Sequence, residues 1–78
     1  MPRFYFHVRN HDHYDEDPEG GDFSSVEMAR QEAIQAAREM MAEKVAHGEL
    51  LDGQCFEIAD ESGKIVSLVP FRSVIRLD

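Results

Sequence analysis

Residues 25–47 carry the one sustained helical period in this chain, and a single helix can shield only one face of whatever sheet forms beside it. Val26, Ala29, Ala33, Ala37 and Met40 form one stripe, widened by Ile34, Met41 and Val45. Arg30, Gln31, Glu32, Gln35, Arg38, Glu39 and Glu43 mostly face water. Alanine raises the helix propensity and lets the helix lie close to a sheet. Ser24 and Glu27 have the spacing of a capping box, with Phe23 and Met28 at the positions of a hydrophobic staple. His47 and Gly48 mark the end, as a cation suited to a helix C-terminus and a residue free to take the left-handed cap conformation. At 1.5 Å per residue the helix is roughly 34 Å long. That outruns short strands, so one end should overhang the sheet or be covered by the C-terminal tail or by a partner.

The strands around it are short. Arg3–Arg9 alternates Phe4, Phe6 and Val8 on one side with Arg3, Tyr5, His7 and Arg9 on the other, the period of a half-buried strand. Residues 10–22 show no apolar period and contain Pro18-Glu19-Gly20-Gly21, so they are expected to be a loop, long enough to be functional or mobile. Asp52-Gly53 turns into a second strand, Gln54–Asp60, and Glu61-Ser62-Gly63 joins it to a third, Lys64–Val69, as a hairpin. Pro70 ends that strand, and Phe71, Val74, Ile75 and Leu77 fit either a helical turn or a short strand. The expectation is one α+β domain over residues 1–78, a three-stranded antiparallel sheet in β-α-β-β order with the helix on one face.

The opposite face is the open question. It receives Tyr5, His7 and Arg9 from the first strand and Cys55, Glu57 and Ala59 from the second. The third strand is apolar in both phases, with Ile65 and Val69 on one side and Val66 and Leu68 on the other. Apolar residues on both sides suggest a second face that is not fully wet, and self-association through it or through an edge strand is the economical explanation. Tyr5, Val66 and Leu68 are the candidate interface residues.

Charge and composition narrow the classes. The net charge of −8 is local: between Arg9 and Arg30 there is no Lys or Arg, whereas Asp12, Asp15, Glu16, Asp17, Glu19, Asp22 and Glu27 all fall there. With no basic stripe, phosphate-neutralising contact with nucleic acid is not expected, and anionic membrane surfaces are disfavoured on the same ground. No apolar run approaches a bilayer span and the opening lacks a secretory h-region, so a soluble, cytoplasmic protein is expected. The single Cys55 excludes an internal disulfide framework and a cysteine-rich zinc site.

His7, His11 and His13 with Asp12, Asp15, Glu16 and Asp17 are the densest set of potential ligands. A metal-binding protein using His7, His11, His13 and Asp15 is therefore the second reading, set against an ordinary solvated loop. Asp15-Glu16-Asp17-Pro18-Glu19-Gly20 echoes a calcium loop but has Val26 at the twelfth position and Pro18 at the fourth, which excludes an EF-hand. Cys55 sits mid-strand without a basic neighbour in sequence and reads as structural. His7 with Tyr5, Arg9 and Glu57 could line a polar patch; the simpler account is a cross-strand hydrogen bond between His7 and Glu57. An enzyme working at that patch is the third reading. No catalytic residue and no cofactor is assigned.

Met1-Pro2-Arg3-Phe4-Tyr5-Phe6-His7-Val8-Arg9, the loop with Asp15 and Gly20, Ala29-Arg30-Gln31-Glu32-Ala33, Phe56-Glu57-Ile58-Ala59-Asp60-Glu61-Ser62-Gly63 and Val69-Pro70-Phe71 together resemble a family of short bacterial proteins that open M-P-R-Y-F-F-H. Here Phe4-Tyr5 stands where the family has Tyr then Phe, and the loop is richer in histidine. The family is a domain of unknown function, so the resemblance implies a compact α+β domain and brings no catalytic residues. The first reading is thus a small non-catalytic cytoplasmic bacterial domain acting by association, as a homodimer or on a protein partner.

Overall fold

The computed structural model describes residues 2–10, 13–46, 48 and 53–74, without the side chains of Lys44 and Val45. Expectations for His11, His47, Asp52, Ile75, Leu77 and the Val45 side chain lie outside the described residues. In chain order the elements are β1 (Arg3–Arg9), β2 (Tyr14–Asp15), β3 (Gly21–Asp22), α1 (Val26–Ala46), β4 (Cys55–Ala59), β5 (Ile65–Pro70) and a 3-10 turn, Phe71–Val74. The expected α+β class holds, but the sheet has five strands rather than three. The difference lies in the acidic segment. It returns along β1 and pairs twice, Tyr14–Asp15 opposite Arg9 and Val8, and Gly21–Asp22 opposite Phe4 and Arg3. Two-residue pairings carry no periodic signal, so they are invisible to a reading based on apolar period.

β1 lies between this returning segment and β4, and β5 follows, all antiparallel. α1 places Ala29, Ala33, Ala37 and Met41 in the core against Phe4, Phe56, Ile58 and Val69. That is the expected stripe, with Met41 rather than Met40 fully inside and Val26 left exposed. The helix start moves by one residue. Ser25, not Ser24, is the N-cap: its hydroxyl accepts the amide of Met28 at 3.2 Å and its carbonyl accepts that of Ala29 at 3.1 Å. The third helical position is then Met28, which cannot close a capping box, and Phe23 packs edge-on against Phe6 instead of stapling an exposed Met28. Gly48 takes φ +74°, as a left-handed cap requires.

The 3-10 turn packs against α1, and its Phe71 and Val74 join the core, Phe71 meeting Phe56 at 5.0 Å between ring centroids. The smallest extent of the molecule is 16 Å. One helix layer on one sheet layer fills that thickness, since packed layers stand about 10 Å apart.

Candidate functional site

Residues opposite one another in antiparallel strands share a face. The pairings of β1, β4 and β5 therefore set three rows across the side of the sheet away from α1. These are Tyr5–Ala59–Ile65, His7–Glu57–Leu68 and Arg9–Cys55–Pro70, the last extended by Tyr14 of β2. The rows grade from aromatic and polar at β1 to apolar at β5, where Leu68 is 54 % and Ile65 41 % exposed. Tyr5 and Leu68 fall on this face as expected. Val66 does not: a register shift at Ile58/Ala59 packs it against the core on the helix side.

At the β1 end, the Arg9 guanidinium donates to the Glu57 carboxylate and lies over the Tyr14 ring, 4.3 Å from its centroid. His7 stacks near-parallel on Tyr5 and meets Tyr14 at 5.7 Å. The expected His7–Glu57 hydrogen bond is replaced by two others. Glu57 serves Arg9, while His7 Nδ1 accepts the backbone amide of Asp17 at 3.0 Å, which requires the neutral ring with its proton on Nε2. The charges identified on this face, Arg9 with Glu57 and, towards β3, Arg3 with Asp22, are already paired, in a chain of net charge −8. Cys55, beside Arg9, is half-buried; desolvation pushes its thiol up and Glu57 adds to the rise, the reverse of what a nucleophilic thiolate needs.

Both edges of the sheet are closed. On the β1 side, β2 and β3 leave a gap opposite Phe6, and the Asp17 carboxylate fills it: Oδ2 accepts the Phe6 amide at 3.1 Å, and Oδ1 accepts those of Glu19 and Gly20 at 3.2 Å each. Desolvation pushes this carboxyl up, but the amides of Phe6, Gly20 and Glu19 more than reverse it, so it ends below the ordinary carboxylate value. Gly20, at φ +70°, lies so close to β1 that a Cβ there would stand 2.6 Å from the Phe4 carbonyl oxygen.

On the β5 side, Phe71 donates to the Gln54 carbonyl at 2.9 Å, which sets the phase of the ladder: Val69 and Phe71 bond inward to β4, Leu68 and Pro70 point outward. Pro70 has no amide to expose. The Leu68 carbonyl accepts Arg30 Nη1 at 2.9 Å, which also reaches the Ser67 hydroxyl at 2.9 Å, and the Pro70 carbonyl accepts the Ser73 hydroxyl at 2.6 Å. An association through the β5 edge, one of the two routes expected from sequence, meets two carbonyls that are already engaged.

Of the metal-ligand candidates, His13 Nε2 bonds Asp15 at 2.9 Å, His7 is held by the Asp17 amide, and His11 lies outside the described residues. Among the described residues no three His, Cys, Asp or Glu side chains gather as a metal would need. A groove of about 440 Å³ lies elsewhere, between Pro2, Phe4, Val26 and Val66 and the Asp60–Ser62 turn. Among the described residues no helix is long and apolar enough to cross a membrane. Sequence reading placed Asp17 only among the potential metal ligands and missed its edge-closing role, along with the roles of Tyr14 and Arg30. Asp17-Pro18-Glu19-Gly20 is a turn signature that could have marked the first; the other two depend on strand register.

Compared with curated proteins and with solved structures, the chain finds no match in either. Residues 3–72 match the family described as Domain of unknown function (DUF6894), a span running from the start of β1 into the 3-10 turn, and the chain belongs to that family.

Proposed function

We propose that this domain acts by association, with a second copy of the chain seated on the open face of the sheet over its β5 half. The observation that carries the reading is the column of Ile65, Leu68 and Pro70, exposed on a face that holds no unpaired charge, in a sheet whose edges are closed. Charge decides between a second copy and repulsion. The acidic segment lies at the β2 edge, three strand spacings or about 14 Å from β5. Two copies related by a two-fold axis at β5 hold their acidic segments roughly 28 Å apart, beyond the Debye length of about 8 Å at physiological salt. The face is small, about 20 Å by 14 Å, so the contact belongs to the weak, transient class, populated in the high-micromolar range.

Sedimentation equilibrium over a concentration series tests this. A monomer–dimer equilibrium in that range, shifted to monomer by Leu68→Asp with the fold retained, is the expected result. A protein that stays monomeric up to about 1 mM overturns it. Val66→Asp is not an equivalent probe, because Val66 packs on the core and the change should unfold the protein.

A further inference from the structure

The closure of the β5 edge carries an inference that goes beyond the association reading and stands without it. An exposed edge strand is a template for another strand, and two of the outward groups of β5 need a donor: the carbonyls of Leu68 and Pro70. Ser73 serves Pro70 from the next turn of the same segment, a local contact that forms whenever the 3-10 turn forms. Leu68 is served from α1, 38 residues away in sequence, by one guanidinium nitrogen that also holds Ser67. From these contacts we infer that Arg30 is the residue that keeps β5 from pairing with the β5 strand of a second copy. The partner it excludes is an antiparallel strand, because that pairing places the Leu68 carbonyl of each copy before an amide of the other.

The remaining features of the edge agree with this role. Pro70 limits any added strand to the residues before it, so the Leu68 carbonyl and amide are the central ladder positions left. Ile65 and Leu68 beside them supply apolar cross-strand contacts for an arriving strand. The long, flexible arginine is a gate that costs the helix little, since alanine at position 30 would favour the helix as much.

Arg30→Ala tests it by sedimentation velocity together with infrared spectroscopy of the amide band. Freeing one carbonyl per copy restores two ladder bonds in a two-fold strand pair, about a tenfold gain in the association constant. The expected result is that gain, with intermolecular β-sheet absorption rising with concentration, a signal that face-to-face contact of two sheets does not produce. Arg30→Lys, which keeps a donor, should behave as the parent chain. If Arg30→Ala associates no more than the parent while retaining its helical circular dichroism, or if its extra association comes without intermolecular β-sheet absorption, the inference fails. Should Arg30→Ala not fold, Ser67→Ala, which loosens the guanidinium from one side, must show the same change in smaller measure; its absence is equally fatal.

Discussion

The two edges of the sheet are closed by opposite chemistry. Along β1 the group left over is a donor, the Phe6 amide, and the closing group is an acceptor, the Asp17 carboxylate. Along β5 the groups left over are acceptors, the Leu68 and Pro70 carbonyls, and the closing groups are donors, Arg30 and Ser73. Proline removes one of the outward amides that would have needed an acceptor there, and the Leu68 amide remains. The β1 closure is also continuous with the chain that precedes the helix, whereas at β5 the Leu68 carbonyl is closed by one side chain laid across from α1. From this contrast, disturbing the β1 edge should unsettle the fold, and disturbing the β5 edge should alter what the fold sticks to.

The largest effect should come from Gly20→Ala. It forces a side chain into the left-handed region and against the Phe4 carbonyl, so it should cost about 2–3 kcal/mol and lower the melting temperature by roughly 10 °C or more. Thermal unfolding measures this directly, and an unchanged transition would mean the loop does not sit on β1. Asp17→Ala comes next, at about 1–2 kcal/mol in urea unfolding, because it strands the Phe6 amide and frees the turn at Glu19 and Gly20.

Acid provides a gentler version of the same break. The carboxyl of Asp17 lies lower in the folded state than in the unfolded chain, so its charge stabilises the fold above about pH 4, and that contribution drains away as pH falls through the folded value. The site is largely open to solvent, which holds the effect to under about 1 kcal/mol. Amide exchange at Phe6, corrected for its intrinsic pH dependence, should accelerate in that window in the parent chain, and Asp17→Asn should flatten the dependence. The β5 closure contains no carboxylate, so that side should stay closed. The smallest stability change belongs to Arg30→Ala, within about 0.5 kcal/mol in urea unfolding. A loss as large as that of Asp17→Ala would erase the distinction between the two edges.

Much of the fold was legible because it rests on period. The alternation of Phe4, Phe6 and Val8 marked β1, and Ala29, Ala33 and Ala37 marked the buried side of α1. The hairpin at Glu61-Ser62-Gly63 followed from its turn chemistry, and Asp60 completes it by accepting the amides of Ser62 and Lys64. The open face was legible in part: Tyr5, His7, Arg9, Cys55, Glu57 and Leu68 were placed on it by alternation. Val66 was misplaced because a bulge resets the phase by one residue, and nothing local announces a bulge in Ile65-Val66-Ser67-Leu68. The cap at Ser25 was missed for a related reason, since two adjacent serines offer two registers and only packing chooses between them.

What the chain's order of residues determined by itself was the inventory: one helix with a small-residue stripe, apolar strands in alternation, and acids gathered before the helix. These follow from contacts between near neighbours and from burial averaged over an element, which a linear pattern can carry. The tertiary structure alone decided that the acidic segment would serve as two strands and an edge closure, that Glu57 would pair with Arg9 rather than His7, and that Arg30 would reach Leu68. Each of those is a hydrogen bond between residues 10 to 48 positions apart or its consequence, fixed only when the sheet register brings the partners within about 3 Å.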